Sequence, residues 1–330
     1  MNRAVLMGDP TYFSIKAGAN PHTRTRWGRR KKVDRRRAID QWHGLARLLG
    51  QAGVTVFVVP PDPRLPGLVY PANAGFLFPS DEPLPAAQKR FYLANLLAAR
   101  AGEQPVYRRF VEALGFRTAA VRARFEGEAD FFPAGARYLF TFGRIERQRF
   151  RLRWGFPPYA RVYGFRSEWG AVEQLVHVAG GREVLELELC DEAYYHGDTA
   201  LCSFGEGRRH LLAYLAALTP ASAARLREAV TDHLIPLTRE DAALYAANSF
   251  PLERDGRHYL FVPAGVSADL LAQIRRRGVE PIPVDVSEFL AKGGGSVKCM
   301  LCDLGPRVEE SLTPAQKAFR AERSYGALFA

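Results

Sequence analysis

Long apolar runs are missing from this sequence. No stretch approaches the ~20 consecutive apolar residues that a membrane-crossing helix needs, and the stretch from Met1 to Phe13 lacks the apolar centre of a secretion signal. Cysteine is scarce as well: Cys190, Cys202, Cys299 and Cys302 are the only four in 330 residues, far too sparse for a disulfide framework in a chain this long. Together these shortages predict an unexported protein working in a reducing cytoplasm, with no membrane partner. Lysine is the third rarity, seven residues against 39 arginines, a bias that genomic composition explains as readily as function does. Core material is abundant. With 47% hydrophobic and 12% aromatic residues, the chain can bury one large core or two modest ones, and disorder is excluded as its main state.

The formal net charge of +11 is local. Arg24 to Arg37 carries +8 and Arg144 to Arg161 carries +5, so the remainder sums to about −2. The first run leads into an amphipathic stretch with Ile39, Trp42, Ala46 and Leu49 on one side, so its arginines are expected on the opposite, solvated face. In the second, Arg alternates with Phe150, Leu152 and Trp154, a period of two that suits an edge strand or hairpin with one basic and one apolar side. That apolar side needs a cover, either the mouth of a site or a subunit interface in a homo-oligomer. A nucleic-acid partner is not expected despite the charge.

A unit recurs at intervals of about 50 to 70 residues. A helical stretch ends near glycine, a β-branched run follows, and a turn with small residues around Asn, Asp or Cys comes next. Its turn positions Asn73, Asp130, Asp198, Asn248 and Cys299 lie 57, 68, 50 and 51 residues apart, which gives about five αβ modules. A helix over one short strand cannot bury its apolar face alone, so the modules must stack. A strand around Val297 to Leu304 is expected to pair with the N-terminal strand around Val5 and close a ring, although the same alternation also suits an open α/β sheet.

Three of the turns carry chemistry: Glu126, Glu128 and Asp130 in one, His196 and Asp198 in the next, and Cys299 behind Gly293 to Gly295 in the last. A thiolate nucleophile, an imidazole to move protons, and carboxylates to orient it and hold a cation form one coherent set. Cys299 and Cys302 also make a Cys-x-x-Cys pair, but no second such pair recurs to complete a zinc site, and no metal is expected. Cys190 and Cys202 read as small buried hydrophobes.

In order along the chain, Asn20-Pro21, Ala72-Asn73-Ala74-Gly75, Phe125-Glu126-Gly127 with Asp130, Tyr195-His196 with Asp198-Thr199, and Gly294-Gly295-Ser296 with Cys299-Met300 resemble the guanidino-group-modifying enzymes of the pentein fold. That group includes dimethylarginine dimethylaminohydrolases, arginine deiminases and dihydrolases, and amidinotransferases. The resemblance implies an α/β pentein fold, a five-bladed propeller of repeated strand-helix modules with pseudo-fivefold symmetry. It implies one catalytic domain over residues 1–305, with a basic insertion at about 144–163 and a helical tail over 306–330. By the same resemblance Cys299 is the nucleophile, His196 the general acid and base, and Glu126 the carboxylate that orients it. Asp198, Asp130, Asn73, Asn20 and Ser296 are then substrate-binding residues, and Arg100 and Arg166 are candidates for the substrate carboxylate.

Two departures stand out. Alanine at 129 replaces the second glycine of the Glu-Gly-x-Gly-Asp motif, and Ala72-Asn73 stands where deiminases and dimethylargininases generally carry Arg-Asp, as in the arginine dihydrolase branch. The implied activity is hydrolysis of the guanidino group of arginine or a derivative through a covalent thiouronium-type intermediate, with no cofactor. An amidinotransferase would use the same intermediate with an amine acceptor. A third reading is a non-catalytic pentein-fold protein, similar to ribosome anti-association factors, that touches RNA phosphate through the basic segments. The presence of Cys, His and carboxylates in the right order argues against it.

Overall fold

The computed structural model describes residues 2–16 and 18–329, and the chain folds as a mixed α/β protein. Among the described residues there are five three-stranded sheets and one two-stranded ribbon. The sheets share one plan. An antiparallel pair comes first, and a helical crossover then delivers a third strand parallel to the second, as a parallel connection requires. Gly75–Phe78 pairs antiparallel with Arg90–Leu93, Gln104–Ala113 crosses over, and Arg117–Ala120 aligns parallel with Phe91 opposite Thr118. The same order holds for Phe131–Ala134, Arg137–Phe142 and Val184–Glu188, for Leu201–Phe204, His210–Ala213 and Leu234–Pro236, and for Phe250–Arg254, Arg257–Pro263 and Val279–Val284. The remaining sheet joins the two ends of the chain. Arg3–Gly8 lies between Cys302–Pro306, antiparallel with Leu6 opposite Cys302, and Thr55–Val59, parallel with Leu6 opposite Phe57.

Helix Arg35–Gln51 illustrates how the pattern is read out. Asp34 caps it by accepting from the Arg37 amide, and Ala38, Trp42, Leu45, Ala46 and Leu49 are fully buried against the first and last sheets. Burial of each large aliphatic side chain contributes roughly 1.5–3 kcal/mol. Arg35, Arg36 and Arg37 face solvent, as the charge pattern predicted, while Ile39 is only half-buried and Leu45 takes its place in the core.

Three expectations need correction. The expected strand around Val297 to Leu304 begins only at Cys302, because Lys298–Met300 winds into a single 3-10 turn. Four of the modules also contain an antiparallel hairpin after the turn, which the repeat did not predict. Strands of four residues such as Gly75–Phe78 are too short to show a period of two. Cys202 is buried as expected, but Cys190 is exposed.

The C-terminal helices Pro314–Glu322 and Tyr325–Phe329 cover the first two sheets. Thr313 and Gln316 form a capping box, Phe319 meets Phe110 edge-on with ring centres 5.3 Å apart, and buried Arg320 donates to the Leu114 carbonyl. Tyr325 and Phe329 pack on Trp42. The basic insertion is a two-stranded ribbon, Arg149–Leu152 against Tyr159–Val162. It leans on the other basic segment, where Trp27 meets Phe156 at 5.4 Å and Arg26 donates to the Phe156 carbonyl. Leu152 and Trp154 are 87% and 103% exposed, so within this chain the apolar side covers no site mouth.

Candidate active site

The module turns become short 3-10 turns that abut one another: Pro71–Asn73, Gly127–Ala129, Gly197–Thr199 and Lys298–Met300. Glycine is obligatory in one of them. Gly127 has φ +70°, and a Cβ there would lie 2.6 Å from the Ala72 carbonyl oxygen. Ala129, by contrast, keeps an ordinary negative φ, so the turn accepts alanine at the motif's second glycine. The Gly293 to Gly295 run is equally constrained. Gly294 has φ +77°, and a Cβ on Gly293 would collide with the Tyr70 hydroxyl. The run is pinned by Asn20, whose amide donates to the Gly293 carbonyl at 2.8 Å, and by Tyr195, whose hydroxyl donates to the Gly294 carbonyl at 2.7 Å.

A cavity of about 160 Å³ opens at these turns, with Cys299, His196, Glu126, Asn73 and Arg166 in its wall. The Cys299 thiol lies 3.6 Å and 3.9 Å from the two carboxylate oxygens of Asp198. Burial and the Asp198 charge push this thiol well above the usual cysteine range. Burial likewise pushes Asp198 up to about 6, against the downward pull of His196 and Lys298. Asp198 raises the thiol, while the hydrogen bond from the thiol pulls Asp198 down, and a cation arriving between them would lower both.

Glu126 and His196 form a buried pair. His196 Nε2 is 2.9 Å from Glu126 Oε2, with both side chains almost fully buried. Burial alone would raise the Glu126 carboxyl, but the His196 hydrogen bond and the charges of His196, Arg100 and Arg166 hold it down at about 2. An ionised Glu126 accepts only, so the proton of neutral His196 sits on Nε2. Among the described residues His196 Nδ1 is buried without a hydrogen-bond partner.

The other candidates separate into two groups. Arg166 is buried over the Tyr195 ring at 4.8 Å, and its hydrogen bonds go to the carbonyls of Ala19, Gly164 and Phe165. Asn73 approaches His196 Nε2 at 3.4 Å, and Ser296 Oγ is buried beside the Cys299 turn without a partner. Arg100 and Asp130, in contrast, are occupied. Arg100 stands in the cavity wall, is bidentate to Glu103 and donates also to the Asn73 side chain and the Gly67 carbonyl, so it braces Asn73 while its charge is shared with Glu103. Asp130 accepts from Thr141 Oγ1, Ser167 Oγ and the Gly197 amide, which fixes the His196 turn from behind. Among the described residues no group of three or more His, Cys, Asp or Glu side chains is placed to hold a metal ion, and no helix is long and apolar enough to cross a membrane.

The whole chain resembles known proteins. It is 30% identical over 304 residues to the N(G),N(G)-dimethylarginine dimethylaminohydrolase of Mycobacterium tuberculosis, covering 92% of this chain and 86% of that protein. The chain belongs to the dimethylarginine dimethylaminohydrolase family. The sequence pattern described as "N,N dimethylarginine dimethylhydrolase, eukaryotic" matches residues 194–305, which hold the His196, Asp198 and Cys299 turns of this family member. It is also 29% identical over 299 residues to the bifunctional arginine dihydrolase/ornithine cyclodeaminase AgrE of Nostoc, spanning 37% of that longer protein. The substrate-bound N-terminal domain of ArgZ, a cyanobacterial arginine dihydrolase, superposes with a TM-score of 0.76 at 23% identity, over 92% of this chain and 99% of that one. That likeness bears on the fold, which is of the pentein type.

One residue of this family member's site escaped sequence reasoning as a functional group. Asn248 marks the fourth module turn, yet its side chain lies against Cys299 Sγ at 3.2 Å. The signal was its phase in the repeat, which it shares with Asn73, Asp130, Asp198 and Cys299.

Proposed function

We propose that Cys299, His196, Glu126 and Asp198 hydrolyse the guanidino group of arginine or an Nω-substituted arginine through an adduct on Cys299. Membership of the family makes the chain a hydrolase acting on guanidino C–N bonds. In this reading Asp198 holds one guanidinium nitrogen, and Arg166, whose hydrogen bonds are all to carbonyls, pairs with the substrate carboxylate. As the cation arrives the Cys299 proton passes to His196 Nδ1, and the thiolate attacks the guanidinium carbon. His196 Nδ1, as imidazolium, gives its proton to the departing nitrogen, and the C–N bond breaks to leave an S-linked thiouronium. Nδ1, now free, takes a proton from water. The hydroxide adds to the same carbon, the C–S bond breaks as the new carbonyl forms, the imidazolium returns its proton to the sulfur to restore the thiol, and the hydroxyl proton leaves with the released amine. Glu126 fixes the ring through Nε2 in both steps.

The fold reading that goes with this is a five-bladed propeller with pseudo-fivefold symmetry and the site at its centre. The common plan of the five sheets and the adjacency of their turns support it.

The observation that carries the proposal is the arrangement of a thiol, a carboxylate behind it and a histidine with an unpartnered Nδ1 at one cavity. The test is incubation with arginine and its mono- and dimethylated forms, with and without an amine acceptor, and product analysis by mass spectrometry. The expected result is loss of ammonia or a methylamine with oxygen incorporated from water. Inactivity on every guanidino compound, together with tight, salt-sensitive RNA binding, would overturn it.

A further inference from the structure

Asn248 is fully buried just ahead of strand Phe250–Arg254 and touches Cys299 from the protein side, away from the cavity wall. Its Oδ1 accepts from two backbone amides, those of Ser296 and Cys299, each at 3.0 Å. Its Nδ2 donates to the Asp198 carbonyl at 3.1 Å and to Cys299 Sγ at 3.2 Å. The orientation of the amide is settled by these partners. An oxygen must face the two N–H groups, so the NH₂ group faces the sulfur. Its main chain adds a further tie, since the Asn248 carbonyl accepts from the Lys298 amide at 3.1 Å.

We infer that Asn248 is a positioning residue that sets the acidity and aim of the Cys299 thiol, with its Oδ1 holding the turn and its Nδ2 stabilising the thiolate. The inference rests on the reading of Cys299 as nucleophile. Among the described residues Asn248 is the one side chain that donates to this sulfur. The two halves of its amide do different work, and that makes the role separable from ordinary structural support. The acceptor half ties down a loop that would be held just as well around an inert residue. The donor half is aimed at the reacting atom, where a bond to an anion is stronger than a bond to a neutral thiol. On the thiol itself, Asn248 and the Ser296 backbone act downward, against burial and Asp198.

Asn248→Asp keeps an acceptor for the two backbone amides and removes the donor. Asn248→Ala removes both and adds no charge. The measurement is the rate of iodoacetamide alkylation at Cys299, located by peptide mass, as a function of pH. It is taken alongside thermal melting, kcat and KM. Both variants are expected to move the alkylation profile upward by about one pH unit or more, which is about tenfold slower labelling at fixed pH below the midpoint. The shift should be larger for Asp, with kcat falling in step and KM within about threefold of its parent. Asn248→Asp should also melt closer to wild type than Asn248→Ala does. An alkylation profile for either variant that overlays the wild type would overturn the inference. If Asn248→Ala does not fold, the nearly isosteric Asp variant decides alone. Turnover retained by Cys299→Ser would instead sink the nucleophile reading, and it would leave the alkylation result to stand by itself.

Discussion

His196 gives one ring nitrogen to Glu126 at 2.9 Å and leaves the other, Nδ1, buried with no hydrogen-bond partner. A buried polar atom without a partner costs about 1–3 kcal/mol, so the fold tolerates a standing penalty at the one nitrogen the proposed chemistry uses. Glu126→Gln tests this division of labour. An amide can donate to Nε2 and so drive the ring proton to Nδ1, the wrong tautomer. The expected loss in kcat is on the order of 10²- to 10⁴-fold, with substrate affinity nearly unchanged. Steady-state kinetics with an undiminished kcat would refute the assignment.

The two cysteines of the Cys-x-x-Cys pair should separate cleanly. Cys302 opens the strand that pairs with Leu6 and packs among Ala4, Leu6, Phe57 and Leu304, whereas Cys299 sits in the turn at the cavity. Cys302→Ser is expected to lower stability by about 1–3 kcal/mol while keeping most activity, and Cys299→Ser to abolish turnover while folding normally. Activity assays and thermal melts on both variants check this. Equal losses of activity would point to a joint redox or metal role.

These contrasts mark where the sequence was legible. The helix-strand halves of the modules and the phase of Asn73, Asp130, Asp198, Asn248 and Cys299 follow from periodicity, which is local. The partners of Arg100 and Asp130 do not. Arg100 is taken up by Glu103 and Asn73, and Asp130 by Thr141, Ser167 and Gly197. Most of these partners are brought in by the tertiary fold, and sequence spacing gives no account of which donor a buried carboxylate will meet. Residue type therefore suggested substrate contacts without showing these bonds within the fold.

With Asp198 as the proposed guanidinium partner, the affinity for substrate should depend on pH. With its carboxyl pushed up to about 6 by burial, it is ionised above that pH and neutral below it. KM for a guanidinium substrate should therefore rise as pH falls through about 6. Asp198→Asn should raise KM strongly at pH 8 and flatten that dependence. A KM profile unchanged by the substitution would rule out Asp198 as the guanidinium partner.

Lys298 and Glu128 form a buried ion pair behind the Cys299 turn, and the Asp303 amide donates to the same Glu128 oxygen. Lys298→Met leaves Glu128 charged without a partner, a loss of roughly 3–5 kcal/mol. Burial pushes Glu128 upward, the Asp303 charge acts in the same direction, and Lys298 and the Asp303 amide oppose them. Without Lys298 the carboxyl takes up a proton more readily, so the destabilisation should be smaller at pH 5 than at pH 8. Urea unfolding at the two pH values measures it, and an equal loss at both would contradict the ion-pair account.

The most direct test of the central claim is to trap the adduct. The protein is mixed with arginine or a methylated arginine, quenched in acid during turnover, digested and weighed by mass spectrometry. The account predicts a peptide containing Cys299 that is heavier by the mass of the thiouronium fragment, absent from Cys299→Ser and increased when water activation is slowed by Glu126→Gln. Steady turnover with no such adduct, undiminished by Cys299→Ser, would contradict it.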